Sequence, residues 1–317
     1  MANSAFTVGG GPSTGTVSSV AVGVGLTATP SPITTAGTVS VNINAFCQGR
    51  LTLTTGVPVT TTDVAAAANI FFTPYKGSYI TLFTAGAWRL YTFTERTLAV
   101  PAVANQMYDV FIFDNAGTLT LEEIAWANDT TRATAIVLQD GIYCQDGALD
   151  RRYLGSFRTR AASQCNDTQA FRHLYNYYNR VAKNLNITDP ALSWTYTNPV
   201  FQQANNNPAN QVDIVQGVAE DIIFIALDAG WNSSVPGGGV GVANGIGIDG
   251  LIPINRNRQQ SASPNQIGLS VQIFAEPPTT VGRHYYTWLE ASDVTGTTTW
   301  YGTNYSDNFG LTGYCMV

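Results

Sequence analysis

Residues 108–124 read YDVFIFDNAGTLTLEEI: two strand-like runs, Tyr108 to Asp114 and Leu119 to Ile124, about a glycine-centred turn, Asp114 to Gly117. Aromatic and branched residues fill the first run, and Gly with Asn and Asp marks the reversal, the signature of paired β-strands. The same texture extends outward. Strands are expected at Arg50 to Thr54, Asn69 to Thr73, Tyr79 to Phe83, Trp88 to Thr94 and Ala135 to Gln139. The turns between them centre on Gly77, Gly86 and Gly141. A second series follows at Asp221 to Leu227, Val240 to Ile248, Ile267 to Phe274, Arg283 to Glu290, Thr297 to Tyr301 and Leu311 to Val317. That spacing suggests an antiparallel sandwich or jelly roll.

One segment reads differently. In DTQAFRHLYNYYNRVAK (167–183), the residues Phe171, Leu174, Tyr175, Tyr178 and Val181 fall on one helical stripe, with Asp167 or Thr168 as N-cap. The expected fold is therefore mainly β. An extended N-terminal β arm (1–45) precedes a β-rich middle domain (46–185) that ends in one amphipathic helix. A polar connector (186–211) leads to a C-terminal antiparallel, jelly-roll-like sandwich (212–317). Within the connector, Ala204 to Asn210 reads as an exposed turn.

Of the 317 residues, 11% are charged, against roughly 25% in an ordinary globular protein. Thr, Asn, Gln, Ser and 30 glycines fill the gap, and 13 of the 15 basic residues are arginine. This excludes intrinsic disorder and solvated helical bundles. A net charge of −6 without a basic cluster argues against nucleic acid. No apolar run is long enough for a membrane helix, and the N-terminus lacks the parts of a secretory signal. Cys47, Cys144, Cys165 and Cys315 match no metal spacing and read as free thiols of a reducing compartment. From Met1 to about Ile43 there is no charge at all. Such a stretch cannot build its own core and must pair with copies of itself, with the rest of the chain or with a partner.

Candidate chemistry is sparse. The carboxylate pairs Glu220/Asp221, Glu122/Glu123 and Glu290/Asp293 are the material a glycosidase would use. No spacing singles them out. His173 and His284 stand in aromatic surroundings that suit a structural role. The run GGGVGVANGIGIDG (237–250) lacks the Lys of a phosphate loop and reads as a close-packed strand. No cofactor and no metal site is expected. The aromatics of TTTWYGTNYSDNFG (297–310), notably Trp300 and Tyr301 with Asn304 and Tyr305, have the composition of loops that stack sugars or dock proteins.

The chain resembles bacteriophage tail-fibre and related trimeric virion appendage proteins. The resemblance lies in GTVSSVAVGVGLTATPSPITTAGTVSV near the N-terminus, in GRLTLTTGVPV, FTPYKG, YDVFIFDNAGTLTLE, WANDTTRATAIVLQDG, RRYLGSFRT and FRHLYNYYNRV, and in HYYTWLEASDVTGTTTWYG near the C-terminus. It implies a homotrimer on the exterior of a virion, assembled in the host cytoplasm. Phe6, Val8, Val17, Val20, Val22, Leu26 and Ile33 would then dock on other phage proteins, of the tail, baseplate or capsid. Trp300, Tyr301, Asn304 and Tyr305 would meet a host receptor of glycan type. Phe171, Leu174, Tyr175, Tyr178, Val240, Val242, Ile246 and Ile248 would pack around the three-fold axis. A capsid cement or head-fibre protein and a glycan-cleaving tailspike are the alternatives.

Overall fold

The computed structural model describes residues 19–21, 26–41, 46–235, 241–260, 265–278, 280–303 and 309–317. These fall into two compact units, 1–44 and 45–317. In the first, Leu26–Thr29 pairs antiparallel with Thr38–Val41, and Val20 bridges Ile33. A Cβ at Gly37 would lie 2.6 Å from the Thr29 carbonyl oxygen and 2.9 Å from Ile33, so this turn requires glycine. Val20 and Val39 are exposed.

The second unit is built from hairpins whose turns the sequence announces. Ala85-Gly86, Ala116-Gly117 and Asp140-Gly141 each have positive φ at both residues. This is the two-residue turn whose twist matches that of the paired strands it joins. Each joins an in-register pair: Tyr79–Thr84 with Ala87–Thr92, Met107–Asn115 with Thr118–Ala125, and Ile136–Gln139 with Ile142–Gln145.

The largest sheet runs through Thr118–Ala125, Met107–Asn115, Ala148–Ala161, Gln164–Asp167, Phe171–Arg172, Gln211–Gln216, Gly282–Ser292, Gly241–Ile248 and Pro253–Gln260. A second sheet runs through Ala182–Thr188, Gly310–Met316, Ile223–Ser233, Thr298–Tyr301 and Ser193–Thr195. The strand Gly268–Glu276 lies along the other edge of Ile223–Ser233. Ile214, Ile246, Tyr286 and Trp288 from the first sheet meet Ile225, Leu227 and Leu311 from the second in one core. A separate core gathers Leu51, Ile70, Phe72, Ile80, Leu154 and Phe157. The mainly β expectation holds.

Three details of the expected organisation change. The helix over 167–183 is absent; strands Phe171–Arg172 and Leu174–Asn176 stand in its place. Leu174 enters one core and its neighbour Tyr175 the other. Adjacent residues of a strand point to opposite faces, so a strand buried on both sides shows apolar residues at both parities and mimics a helical stripe. The connector 186–211 is wall rather than linker: Ser193–Thr195 pairs with Thr298–Tyr301, and Gln202–Gln203 with Gly282–Ser292. The middle and C-terminal segments therefore form one compact unit, 45–317, joined also by the parallel pairing of Phe171–Arg172 with Gln211–Gln216.

The arginines explain the missing lysine. Arg152 is fully buried and donates to the carbonyl oxygens of Phe46 and Thr81, to Thr81 Oγ1 and to Tyr178 Oη, at 2.7–3.2 Å. Buried Arg50 donates to the carbonyls of Pro58, Asn179 and Val317, which ties the first strand of the unit to the last residue of the chain. Arg132 grips Asp109 at 2.6 Å and reaches the Gly217 carbonyl. A guanidinium can serve several acceptors from one fixed fork, which an ammonium cannot. Replacing Arg152 by Lys leaves buried carbonyls unserved and should cost about 3 kcal/mol in urea denaturation. Arg89→Lys, at an exposed site, should change stability by less than about 0.5 kcal/mol.

Candidate functional site

Of the residues expected to meet a receptor, Trp300 and Tyr301 are core. Trp300 has no exposed surface, lies between Trp194 and Trp231 on the flanking strands, and donates from Nε1 to the Tyr196 carbonyl. Tyr301 is buried and its hydroxyl accepts from Asn232 at 2.6 Å. Neither offers a face to a sugar, because their strand is the middle of a sheet. Asn304 and Tyr305 lie outside the described residues.

The residues expected at a trimer axis are also used within the chain. Leu174, Tyr175, Val242 and Ile246 are buried, Ile248 packs on the sandwich core, and Phe171 lies beneath the Arg160 guanidinium at 4.1 Å. Tyr178 packs on the second core and accepts from Arg152. The glycines of their run serve close packing between neighbouring strands. A Cβ at Gly245 would lie 2.6 Å from Pro253 Cβ, and one at Gly247 2.5 Å from the Gly250 carbonyl oxygen. Val240 lies outside the described residues, as do Phe6, Val8, Val17 and Val22 of the arm. Val20 is exposed, Ile33 is half-buried, and Leu26 opens a strand.

The carboxylate pairs are taken up by arginines or by burial. Glu122 holds Arg151 at 2.6 Å, Glu220 and Asp221 both hold Arg180, and Asp293 holds Arg258 at 2.6 Å. Among the described residues, no three His, Cys, Asp or Glu side chains come together as a metal-ligand set. All four cysteines are buried free thiols. His173 is buried 3.2 Å from Asp213. Burial would push the Asp213 carboxyl up, but His173 and the Arg283 fork outweigh it and hold it below its ordinary value. His284 places Nδ1 2.8 Å from Asp249 and Nε2 2.9 Å from the Thr280 carbonyl. Burial alone would lower its pKa; these two acceptors reverse that and favour the imidazolium.

Sequence reasoning paired Glu290 with Asp293 and missed that Glu290 is buried with Asp189 under the amide donors of the supposed connector. Glu290 has no exposed surface and accepts from Trp194 Nε1, Gln202 Nε2 and the Asn205 amide at 2.8–3.1 Å. Asp189 accepts from the Ala191 amide and from the side chains of Asn205, Asn207 and Asn210. The Asn-rich run 205–210 was its signal in the sequence. Rather than forming an exposed turn, it carries amide donors inward to two carboxylates, and Ala204 and Asn210 are buried. Burial raises Glu290 to about 7, whereas for Asp189 the four donors outweigh burial and lower it.

Two features face solvent at the open edge of the sandwich. The first is the strand Gly268–Glu276, whose polarity is inverted. Leu269, Val271 and Ile273 are 58%, 59% and 54% exposed, while Ser270 and Gln272 point inward to Asn244. The same outer face carries Ala226 and Asp228, opposite Ile273 and Val271, and continues to Phe224 stacked on half-exposed Tyr314. Beside the strand a cleft of about 530 Å³ opens between Ile254, Ile273, Phe274 and Pro278, with His284 and Tyr286 among its lining residues. The second is a smaller groove of about 280 Å³ over the strand Pro253–Gln260, lined by Phe201, Ala243, Arg256, Arg258 and Asp293.

The raised Glu290 has a measurable consequence. A folded-state pKa above the unfolded one gives stability that is complete below about pH 4.5 and lost as pH rises through about 7, a change on the order of 3 kcal/mol. Glu290→Gln keeps one acceptor oxygen and removes the charge. Its unfolding free energy should therefore fall less between pH 5 and pH 8 than that of the parent. A parent curve with no steeper fall contradicts the assignment.

No family model and no curated protein matches the sequence. Among solved structures, the chain is similar to one in the infectious bursal disease virus structure, Gx strain. There the identity is 10%, the match covers 88% of this chain and 74% of that one, and the TM-score is 0.29. A chain of the Gt strain of that virus matches at 8% identity over 87% and 82%, with a TM-score of 0.19. The mosquito-larvicidal Cry4Aa toxin of Bacillus thuringiensis matches at 10% identity over 82% of this chain and 50% of its own, with a TM-score of 0.20. Two of these three are virus structures; at such TM-scores all three are recorded as likenesses on which no argument rests.

Proposed function

We propose that the protein is a non-enzymatic structural component of a virion, a homotrimeric short tail fibre of a bacteriophage. In this reading the charge-free arm attaches to the particle and the unit 45–317 carries the host-facing surface. The observation that carries the reading is the inverted strand Gly268–Glu276. A strand that turns Leu269, Val271 and Ile273 outward and Ser270 and Gln272 inward is built to be covered. No charged residue occurs from Gln259 to Ala275. Copies that each carry −6 repel one another elsewhere, so an uncharged face is where they can approach. The resemblance of the sequence to trimeric virion appendages supplies the stoichiometry and the phage setting. A copy number per particle matching the shell would instead make the protein a capsid cement.

Assembly tests the reading. The full chain should sediment as a trimer, and Val271→Glu with Ile273→Glu should weaken association by at least about 2 kcal/mol while circular dichroism stays β-rich. Asp228 stands in the same face without an ion-pair partner among the described residues, and burial pushes its carboxyl up. Asp228→Asn should therefore strengthen association. A monomeric full chain, or a trimer indifferent to the double substitution, overturns this face as the assembly surface.

A further inference from the structure

Nearly every arginine of the unit is engaged with a carboxylate or with backbone carbonyls. Two exposed arginines, Arg160 and Arg256, have no hydrogen bond or ion pair among the described residues; Arg160 lies over the Phe171 ring, whereas Arg256 lines the smaller groove. Arg256 lies on the strand Pro253–Gln260, which pairs on one side only, with Gly241–Ile248. Arg258, two residues on and so on the same face, spans the strand to Asp293 at 2.6 Å. The other Asp293 oxygen accepts from the Gly241 amide. A side chain at Gly241 would run into the Arg258 guanidinium, so this glycine keeps that arginine flat. Gly241, Ala243, Ala291, Phe201 and Pro199 also line the groove.

We infer that this groove binds a sugar bearing a carboxylate. A free guanidinium fork matches a carboxylate in two parallel hydrogen bonds. Asp293, with lone pairs left on both oxygens, accepts from sugar hydroxyls, and Phe201 and Pro199 offer apolar surface to the C–H face of a ring. The groove, at about 280 Å³, lies just below the range of drug-sized sites and suits a single ring. Asp293 beside the fork, together with the chain's net charge of −6, disfavours a phosphate dianion over a carboxylate monoanion. The host-facing reading supplies only the source of the sugar.

The test is saturation-transfer NMR and calorimetry on the full chain with four probes. These are methyl glucuronide, the methyl glycoside of N-acetylneuraminic acid, methyl glucoside and inorganic phosphate. One of the two acidic sugars should bind at least about tenfold more tightly than the glucoside and than phosphate. Arg256→Gln should lose that preference with an unchanged melting temperature, and Arg89→Gln should keep it. Equal binding of acidic and neutral sugar, preference for phosphate, no binding, or full retention in Arg256→Gln each overturn the inference. Sedimentation of Arg256→Gln keeps the two proposals apart, because a trimer that binds no acidic sugar leaves the assembly face standing.

Discussion

The guanidinium of Arg152, buried between Tyr178 and the carbonyls of Phe46 and Thr81, is the kind of contact the whole unit depends on. A protein made almost wholly of strands leaves many backbone acceptors at sheet ends and crossings, and each buried one needs a donor. Arg50 does this for the C-terminal residue, Arg132 for Gly217, and Arg172 for Asn184. Carboxylates reinforce the clamps from within, as Asp109, Asp167 and Asp213 do. Several of the few charges of this chain, Arg50, Asp109, Arg152, Asp167, Arg172 and Asp213 among them, are buried inside the unit.

That placement governs what the surface can do. Edge strands in most proteins are protected by outward charges that discourage pairing. Here the strand Gly268–Glu276 presents Leu269, Val271 and Ile273 instead, and the polar side chains that would shield it face Asn244. The strand on the neighbouring sheet edge, Pro253–Gln260, carries Arg256 and Arg258 outward. The assembly proposed above uses the first of these edges, and the anion recognition inferred above uses the second.

Much of the fold could be read from the chain because its hairpins announce themselves. Gly86, Gly117 and Gly141 sit where a two-residue turn needs positive φ, and the flanking strands follow in register. Sequence misled where a strand is buried on both faces. Leu174 and Tyr175 serve two cores, and that doubling looks helical. The same limit hid the roles of Trp300 and Tyr301, since an aromatic among Thr, Gly and Asn reads as a surface loop until its strand is seen between two others. The Asn-rich run 205–210 looked like a solvated turn because nothing in one dimension places Asp189 and Glu290 beneath it. The inverted strand was legible as a strand; its polarity depends on which side the core lies.

Amide hydrogen exchange on the full chain reads the covered edge most directly, comparing dilute with concentrated protein. Residues 268–276 should gain protection with concentration while the hairpin Tyr79–Thr84/Ala87–Thr92 does not change. Equal exchange of residues 268–276 at both concentrations would contradict the account.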